Sequence, residues 1–184
     1  MKRIFDVVLA SIGLIMLFPL MVLIGVCVRW ESPGPAIYRQ QRIGKNRQPF
    51  SIYKFRTMVT GAQQVGPMTT SPNDQRVTRV GFFLRRSSLD ELPQLINVIQ
   101  GSMSLVGPRP DQLFQQHNYS PEQWEMRHLV RPGITGLAQI FVRNGSDHQT
   151  RTDYDLRYVR EHCFGLDLKI MVMTVWQVIV KGSY

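Results

Sequence analysis

The feature that most constrains this chain is an uncharged apolar run near its amino terminus. No Asp, Glu, Lys or Arg occurs between Val7 and Val28. A straight helix over these 22 residues would rise about 33 Å, enough to cross a hydrocarbon core of about 30 Å. A cleaved signal peptide fits less well, because its apolar part is usually about 7–15 residues long and no small-x-small cleavage site is evident. The run predicts a membrane-embedded helix over residues 1–30 and one further domain over residues 31–184.

Two paths through the membrane are open for this segment. Both flanks are basic, with Lys2 before the run and Arg29 just after it, and such residues prefer the cytoplasmic side. Pro19 lies near the middle, where it removes a backbone donor and crowds the preceding turn. A helix broken at Phe18–Pro19 would enter and leave by one face. A kinked single span with its amino terminus outside is the alternative.

The charge balance predicts an anionic partner. Lys and Arg number 22 against 13 Asp and Glu, a net charge of +9. Nucleic acid, a phosphorylated substrate and an anionic membrane surface all fit this surplus. The two cysteines form no framework, and Cys27 lies inside the apolar run, so we expect a reducing compartment rather than a disulfide-stapled secreted module.

Periodicity and turn residues predict a small, helix-dominated α+β domain. The predicted strands are Ala36–Arg42 and Pro49–Met58, a hairpin around Gly44–Asn46, and Leu137–Val142, which a turn at Asn144–Gly145 follows. The predicted helices are Arg76–Arg86, Leu89–Gln100, a helix capped by Ser120 that runs to Val130, and Asp167–Lys181, while Val59–Asp74 is a predicted loop.

The last predicted helix, residues 167–181, is amphipathic with a narrow polar face. Asp167, Thr174, Gln177 and Lys181 fall within about 80° of one another at about 100° per residue. The helix is short for a span, so it either lies in the membrane interface or is buried in the core.

Adjacent acids stand out in the segment 84–110, LRRSSLDELPQLINVIQGSMSLVGPRP. Ser88-x-x-Glu91 has the spacing of a capping box, in which acids of a first turn only stabilise a helix. Alternatively, Asp90 and Glu91 suit metal-assisted chemistry on phosphates, because arginines flank them on both sides and consecutive helical residues project about 100° apart.

The order of several motifs resembles that of the bacterial sugar transferases. These are KRIFD, a proline-broken apolar run, IYKFRTM, SLDELPQLINVIQGSMSLVGPRP, RPGITGLAQ and LDLKIM. More narrowly, the chain resembles the short monotopic phosphoglycosyl transferases over nearly its whole length. The resemblance implies transfer of a sugar phosphate from a UDP-sugar to polyprenyl phosphate with release of UMP. It also implies no nucleic-acid partner.

The resemblance implies separate roles for the two acids. Asp90 would attack the sugar-bearing phosphorus and form a covalent phosphosugar intermediate, and Glu91 would bind Mg²⁺ beside it. By the same match, Lys54, Arg85 and Arg109 are expected to contact substrate phosphates. Asp167 and Asp155 are expected to assist the metal or the basic residues.

The resemblance also favours the re-entrant path, which keeps the catalytic domain on the cytoplasmic face of the bacterial inner membrane. One departure is Phe18, where many members have a serine whose hydroxyl could bond a carbonyl freed at the break. A membrane-anchored basic binding protein without catalysis is the rival hypothesis. The acids discriminate between the two, because a binding surface would tolerate their loss. The sugar cannot be read from the sequence.

Overall fold

The computed structural model describes residues 1–62, 74–142 and 147–181, which form seven α-helices, three short 3₁₀ helices and two small sheets. The helix-dominated α+β prediction is therefore confirmed. The helices are α1 (Lys2–Glu31), α2 (Arg79–Ser87), α3 (Gln94–Gln100), α4 (Pro121–Arg127), α5 (Leu137–Phe141), α6 (His148–Glu161) and α7 (Phe164–Lys181). The strands are β1 (Ile37–Ile43), β2 (Pro49–Phe55), β3 (Ser104–Val106) and β4 (Gly133–Thr135).

Helix α1 is attached to the rest of the chain at both of its ends. At the start, Lys2 Nζ donates to the Asp167 carboxylate at 2.6 Å, and Asp6 accepts from the Ser104 hydroxyl at 2.7 Å. At the end, the Glu31 carboxylate accepts from the first two backbone amides of α2 at 2.7 and 2.9 Å. The two ends of the apolar helix thus contact the same folded body.

Between these attachments, α1 leaves most of its apolar side chains exposed. It is the one helix among the described residues that is long and apolar enough to cross a membrane. The helix continues through Pro19 without interruption. The path through a membrane therefore stays a prediction. Its exposed side chains include Ile4, Val8, Ile12, Ile15, Met16, Phe18, Val22, Leu23 and Val26.

The predicted hairpin is confirmed, and it packs beneath α3. β1 pairs antiparallel with β2, with Arg42 opposite Phe50 and Tyr38 opposite Lys54. The Asn97 amide of α3 accepts from the backbone N–H of Tyr53 at 3.0 Å and donates to the Ser51 carbonyl at 2.7 Å. The hairpin is thereby fixed against the helix that follows the acid pair.

The motifs VGPRP and RPGITG meet as the parallel strands β3 and β4. A Cβ on Gly133 would lie 2.1 Å from the backbone N of Gly107, and a Cβ on Gly136 would lie 2.3 Å from the Gly107 carbonyl oxygen. Only glycine fits at such close backbone approaches. This pairing joins residues 29 positions apart and was not predicted from the sequence.

Some local predictions differ from the structure: the helix predicted over Leu89–Gln100 begins only at Gln94, after a short 3₁₀ turn. The strand predicted over Leu137–Val142 is wrong, because this segment forms the short helix α5, and Leu137 and Ala138 are buried on one side of it. Helix α6 was not predicted. The turn predicted at Asn144–Gly145 and most of the loop predicted over Val59–Asp74 lie outside the described residues.

Candidate active site

The acid pair sits in a tight turn between two helices. After α2 ends, Ser88 takes a left-handed conformation with φ of 55°, and Leu89–Glu91 form one 3₁₀ turn before α3. The predicted capping box is wrong, because the Ser88 side chain makes no capping hydrogen bond there. The Glu91 carboxylate instead forms two ion pairs with side chains from other parts of the fold.

Glu91 is held ionised by two cations. Its Oε1 accepts from Lys54 Nζ at 2.5 Å and from an Arg109 guanidinium nitrogen at 3.1 Å. Burial by itself would raise the pKa of Glu91, but the Arg109 and Lys54 charges outweigh it and hold this pKa at about 2. Burial and the nearby Arg109 also lower the pKa of Lys54, against the opposing pull of Glu91.

Asp90 has the opposite electrostatic environment to its neighbour. Burial raises its pKa above the ordinary value, with Lys54 opposing the shift and the Glu91 charge adding to it. A carboxylate with a raised pKa is a stronger base than an exposed aspartate. Two adjacent acids whose pKa values are pushed apart are suited to different chemical roles.

Arg85 lies at the end of α2, close to this turn. Its Nε donates to the Thr57 hydroxyl at 2.9 Å, and its charge is one of those that oppose the rise in the pKa of Asp90. The structure therefore brings Lys54, Arg85 and Arg109 around the acid pair. Their predicted contacts with phosphate stay predictions.

Asp155 is buried away from this turn, in a network that reaches Arg109 indirectly. Its Oδ2 accepts from Arg127 Nε at 3.0 Å and from a terminal Arg127 nitrogen at 2.7 Å. Arg127 also pairs with Asp111 and donates to the backbone carbonyl of Arg109 at 2.8 Å. Arg127 was not identified from the sequence, where nothing distinguishes it from the other arginines.

Asp167 likewise makes its contacts elsewhere. Its carboxylate accepts from Lys2 at 2.6 Å and lies 2.7 Å from the Tyr158 hydroxyl. These contacts join α7 to α1 and α6. The predicted role of Asp167 at a substrate or metal is not tested by this geometry.

A narrow pocket opens beside Glu91. Its polar walls are Arg42, Lys54, Glu91, Gln94 and Arg109, and its apolar walls include Ile52, Pro110 and Ile134. Arg42 and Gln94 were not identified as site residues from the sequence. A signal existed for Gln94, because it follows the acid pair by one turn within SLDELPQ.

The acids fit a magnesium ion that is held partly by substrate. Among the described residues there is no group of three or more His, Cys, Asp or Glu that could hold a metal. Mg²⁺ is commonly bound by only one or two carboxylates together with waters and substrate phosphates. Both ion pairs of Glu91 involve Oε1, so Oε2 is the oxygen that they leave for a cation.

Comparisons with known proteins place the chain in a family. The family described as bacterial sugar transferase matches residues 1–181. A UDP-glucose:undecaprenyl-phosphate glucose-1-phosphate transferase of Xanthomonas campestris pv. campestris is 45% identical over 188 residues, 97% of this chain and 38% of the relative. The enzyme of the same name from Escherichia coli (strain K12) is 42% identical over 192 residues, 100% of this chain and 41% of the relative.

A third relative is similar in length to this chain. The exopolysaccharide production protein PSS of Rhizobium leguminosarum bv. phaseoli is 37% identical over 100% of this chain and 97% of its own length. In contrast, the chain spans about two fifths of the length of the two glucose-1-phosphate transferases. The family match covers nearly the whole chain, residues 1–181, and therefore shows the class of protein. This chain belongs to the bacterial sugar transferase family.

Proposed function

We propose that this chain transfers a sugar phosphate from a UDP-sugar to polyprenyl (undecaprenyl) phosphate and so starts the assembly of a surface glycan. The observation that carries the proposal is the acid pair, in which Asp90 has a raised pKa beside a Glu91 held ionised by Lys54 and Arg109. Three relatives support the substrates and the pathway by their names.

In the first step, an Asp90 carboxylate oxygen attacks the sugar-bearing phosphorus of the UDP-sugar. The bond from that phosphorus to the bridging oxygen breaks, and UMP leaves with the electron pair. The product is an acyl phosphate that carries the sugar. Burial supports this role, because a desolvated carboxylate of raised pKa is a better nucleophile than an exposed one.

In the second step, an oxygen of the lipid phosphate attacks the same phosphorus. The acyl–phosphate bond breaks, Asp90 returns to its carboxylate form, and the polyprenyl-diphosphate sugar is released. Lys54, Arg85 and Arg109 offset the negative charge at each displacement. Such preorganised charges stabilise phosphoryl transfer because they need no reorientation during the reaction.

Mg²⁺ would be held by Glu91 through the oxygen that its two ion pairs leave over, together with substrate phosphate oxygens. When bound, the ion supplies further charge neutralisation at the diphosphate. Lys54 and Arg109 keep Glu91 ionised throughout the physiological pH range, so the ligand oxygen stays available.

The domain lies on the cytoplasmic face of the inner membrane, and α1 is re-entrant in this proposal. Because both ends of α1 contact one body, a straight span would separate Lys2 from Asp167 by the thickness of a bilayer. The exposed apolar side chains of α7, among them Val172, Val175 and Trp176, would lie in the membrane interface. This places the acid pair where UDP-sugars and lipid phosphate meet.

The test of the proposal is UMP release from a panel of UDP-sugars with Mg²⁺ and polyprenyl phosphate. We expect Asp90→Asn to abolish release, whereas Asp153→Asn, at an exposed position of α6, should leave it unchanged. Normal release by the Asp90 variant would remove this residue from the mechanism. A rival mechanism, in which Asp90 is a base for direct attack by the lipid, predicts no covalent adduct at any stage.

A further inference from the structure

The pocket beside Glu91 carries a surplus of positive charge. Arg42, Lys54 and Arg109 line it, and Glu91 is the one carboxylate among its walls within the described residues. Arg42 uses two guanidinium nitrogens on the Pro110 carbonyl, at 3.0 Å, and on the Gln40 side chain, at 2.7 Å, but its Nε has no hydrogen-bond partner. Burial, followed by the charge of Arg109, lowers the pKa of Arg42 to about 10. An anion in the pocket would relieve this crowding of cations.

Gln94 is the second polar wall whose bonding is incomplete. The residue is only 2% exposed and lines the pocket, and its side-chain amide bonds none of the residues that the structure describes, although its polar atoms are not among those fully closed off from solvent. Buried amides are normally bonded to protein or to ordered water. Asn97, one turn further along α3, shows the ordinary case: it is 1% exposed and bonds Ser51 and Tyr53. Gln94 therefore has a bonding capacity that a ligand in the pocket could satisfy.

We propose that Gln94 and Arg42 bind a phosphate monoester next to the acid pair, an inference that rests on the proposed function. The guanidinium matches phosphoryl oxygens, and the amide donates a further hydrogen bond. In two successive in-line displacements at one phosphorus, the leaving oxygen and the entering oxygen occupy the same side, opposite Asp90. One pocket therefore serves the nucleotide phosphate that departs in the first step and the lipid phosphate that attacks in the second.

The test is ligand binding to the purified full-length protein in detergent, measured by calorimetry with UMP and with a short-chain polyprenyl phosphate. Gln94→Met removes both hydrogen-bonding groups at similar volume, and Arg42→Lys removes the planar fork but keeps the charge. We expect each variant to weaken both ligands about tenfold. Gln100→Met on the same helix and Arg39→Lys on the same strand, both at exposed positions, should bind as the parent does.

A second readout separates binding from folding. Replacing an unsatisfied buried amide by an apolar side chain of the same shape is neutral or stabilising, so Gln94→Met should melt no lower than the parent. A lowered melting temperature with unchanged UMP affinity would show a structural amide and overturn the proposal. Uridine and the polyprenyl alcohol lack the phosphate, so each should bind the parent and Gln94→Met with equal affinity. If Gln94→Met weakened uridine as much as it weakened UMP, Gln94 would contact the nucleoside instead of the phosphate.

The remaining outcomes are also decisive. Weakening of UMP alone, or of the lipid phosphate alone, would overturn the shared pocket, and failure of the parent to bind any phosphate monoester would overturn the site. The same preparations incubated with UDP-sugars distinguish the two proposals. If phosphate binding depends on Gln94 but no phosphosugar adduct forms, the proposed reaction is contradicted and the pocket is not. If an adduct forms and Gln94→Met binds phosphate as the parent does, the pocket alone is contradicted.

Discussion

Removal of the Tyr158 hydroxyl tests how Asp167 is used. Tyr158 is 1% exposed, and its hydroxyl lies 2.7 Å from Asp167 Oδ1 and 3.0 Å from the Val106 carbonyl oxygen. Tyr158→Phe deletes a hydrogen bond to a buried carboxylate and leaves Lys2 as the remaining partner of Asp167. Losing a hydrogen bond to a charged group costs about 2 kcal/mol. For a chain of this size, that loss lowers the melting temperature by about 4–8 °C.

The assay is thermal unfolding in detergent, followed by intrinsic fluorescence. Tyr154→Phe is the matched control, because Tyr154 stacks on Phe141 and its hydroxyl makes no hydrogen bond within the described residues; its melting temperature should stay within about 1 °C of the parent. In an Asp167→Asn background, Tyr158→Phe should cost less, which gives a coupling of at least about 0.5 kcal/mol. Equal melting of the parent and Tyr158→Phe would refute the reasoning that Asp167 ties α7 to α6 and α1.

Three further predictions test other parts of the structure. Glu91→Gln should lower the melting temperature at pH 7 by about 6–12 °C, because a folded pKa of about 2 against an ordinary 4.5 corresponds to about 3 kcal/mol. That stability is fully present above pH 4.5 and is lost as the pH falls towards 2, so the difference from the parent should shrink over this range; a constant difference would contradict the ion pairs. Gly133→Ala should abolish folding or lower the melting temperature by more than about 5 °C. Gly165→Ala is the control and should change the melting temperature little, because a Cβ there meets nothing within 4 Å. Equal melting of the two variants would contradict the close approach of β3 and β4. The exposed Cys163 should react with a charged maleimide in inside-out vesicles but not in spheroplasts. Cys27, which lies in the apolar helix, should be protected in both preparations. Labelling of Cys163 in spheroplasts would contradict the cytoplasmic placement.

Local signals in the sequence were sufficient for the elements that form from near neighbours. The hairpin was predicted because β-prone runs flank a turn of three residues, and α4 because Ser120 and Gln123 cap it reciprocally, as the structure bears out. The prediction of a strand over Leu137–Val142 was wrong because six mostly apolar residues fit the period of a strand and that of a helix equally well. In the structure, no strand among the described residues pairs with them. The parallel pair β3–β4 depends on a distant glycine contact that no local pattern encodes.

For the site, too, the sequence indicated the residues of one local motif but not their distant partners. Asp90 and Glu91 were identified from their motif, but the partners of Glu91 come from β2 and from the loop after β3, which only the fold brings together. Helix α6 was missed because two of its five buried positions, Thr152 and Asp155, are polar, so no apolar stripe marks it. The bonding deficit of Gln94 exists only in three dimensions, since the motif SLDELPQ marks its position but not the partners that it lacks.

The central claim is the covalent step at Asp90, and intact mass spectrometry tests it most directly. The purified chain is mixed with Mg²⁺ and a panel of UDP-sugars in the absence of polyprenyl phosphate. The account predicts a mass increase of one sugar phosphate, together with release of UMP, for the parent and for Asp153→Asn, and neither for Asp90→Asn. Adding polyprenyl phosphate should then discharge the adduct. UMP that is released only after lipid is added, with no adduct on the protein at any time, would contradict the account and favour direct attack by the lipid phosphate.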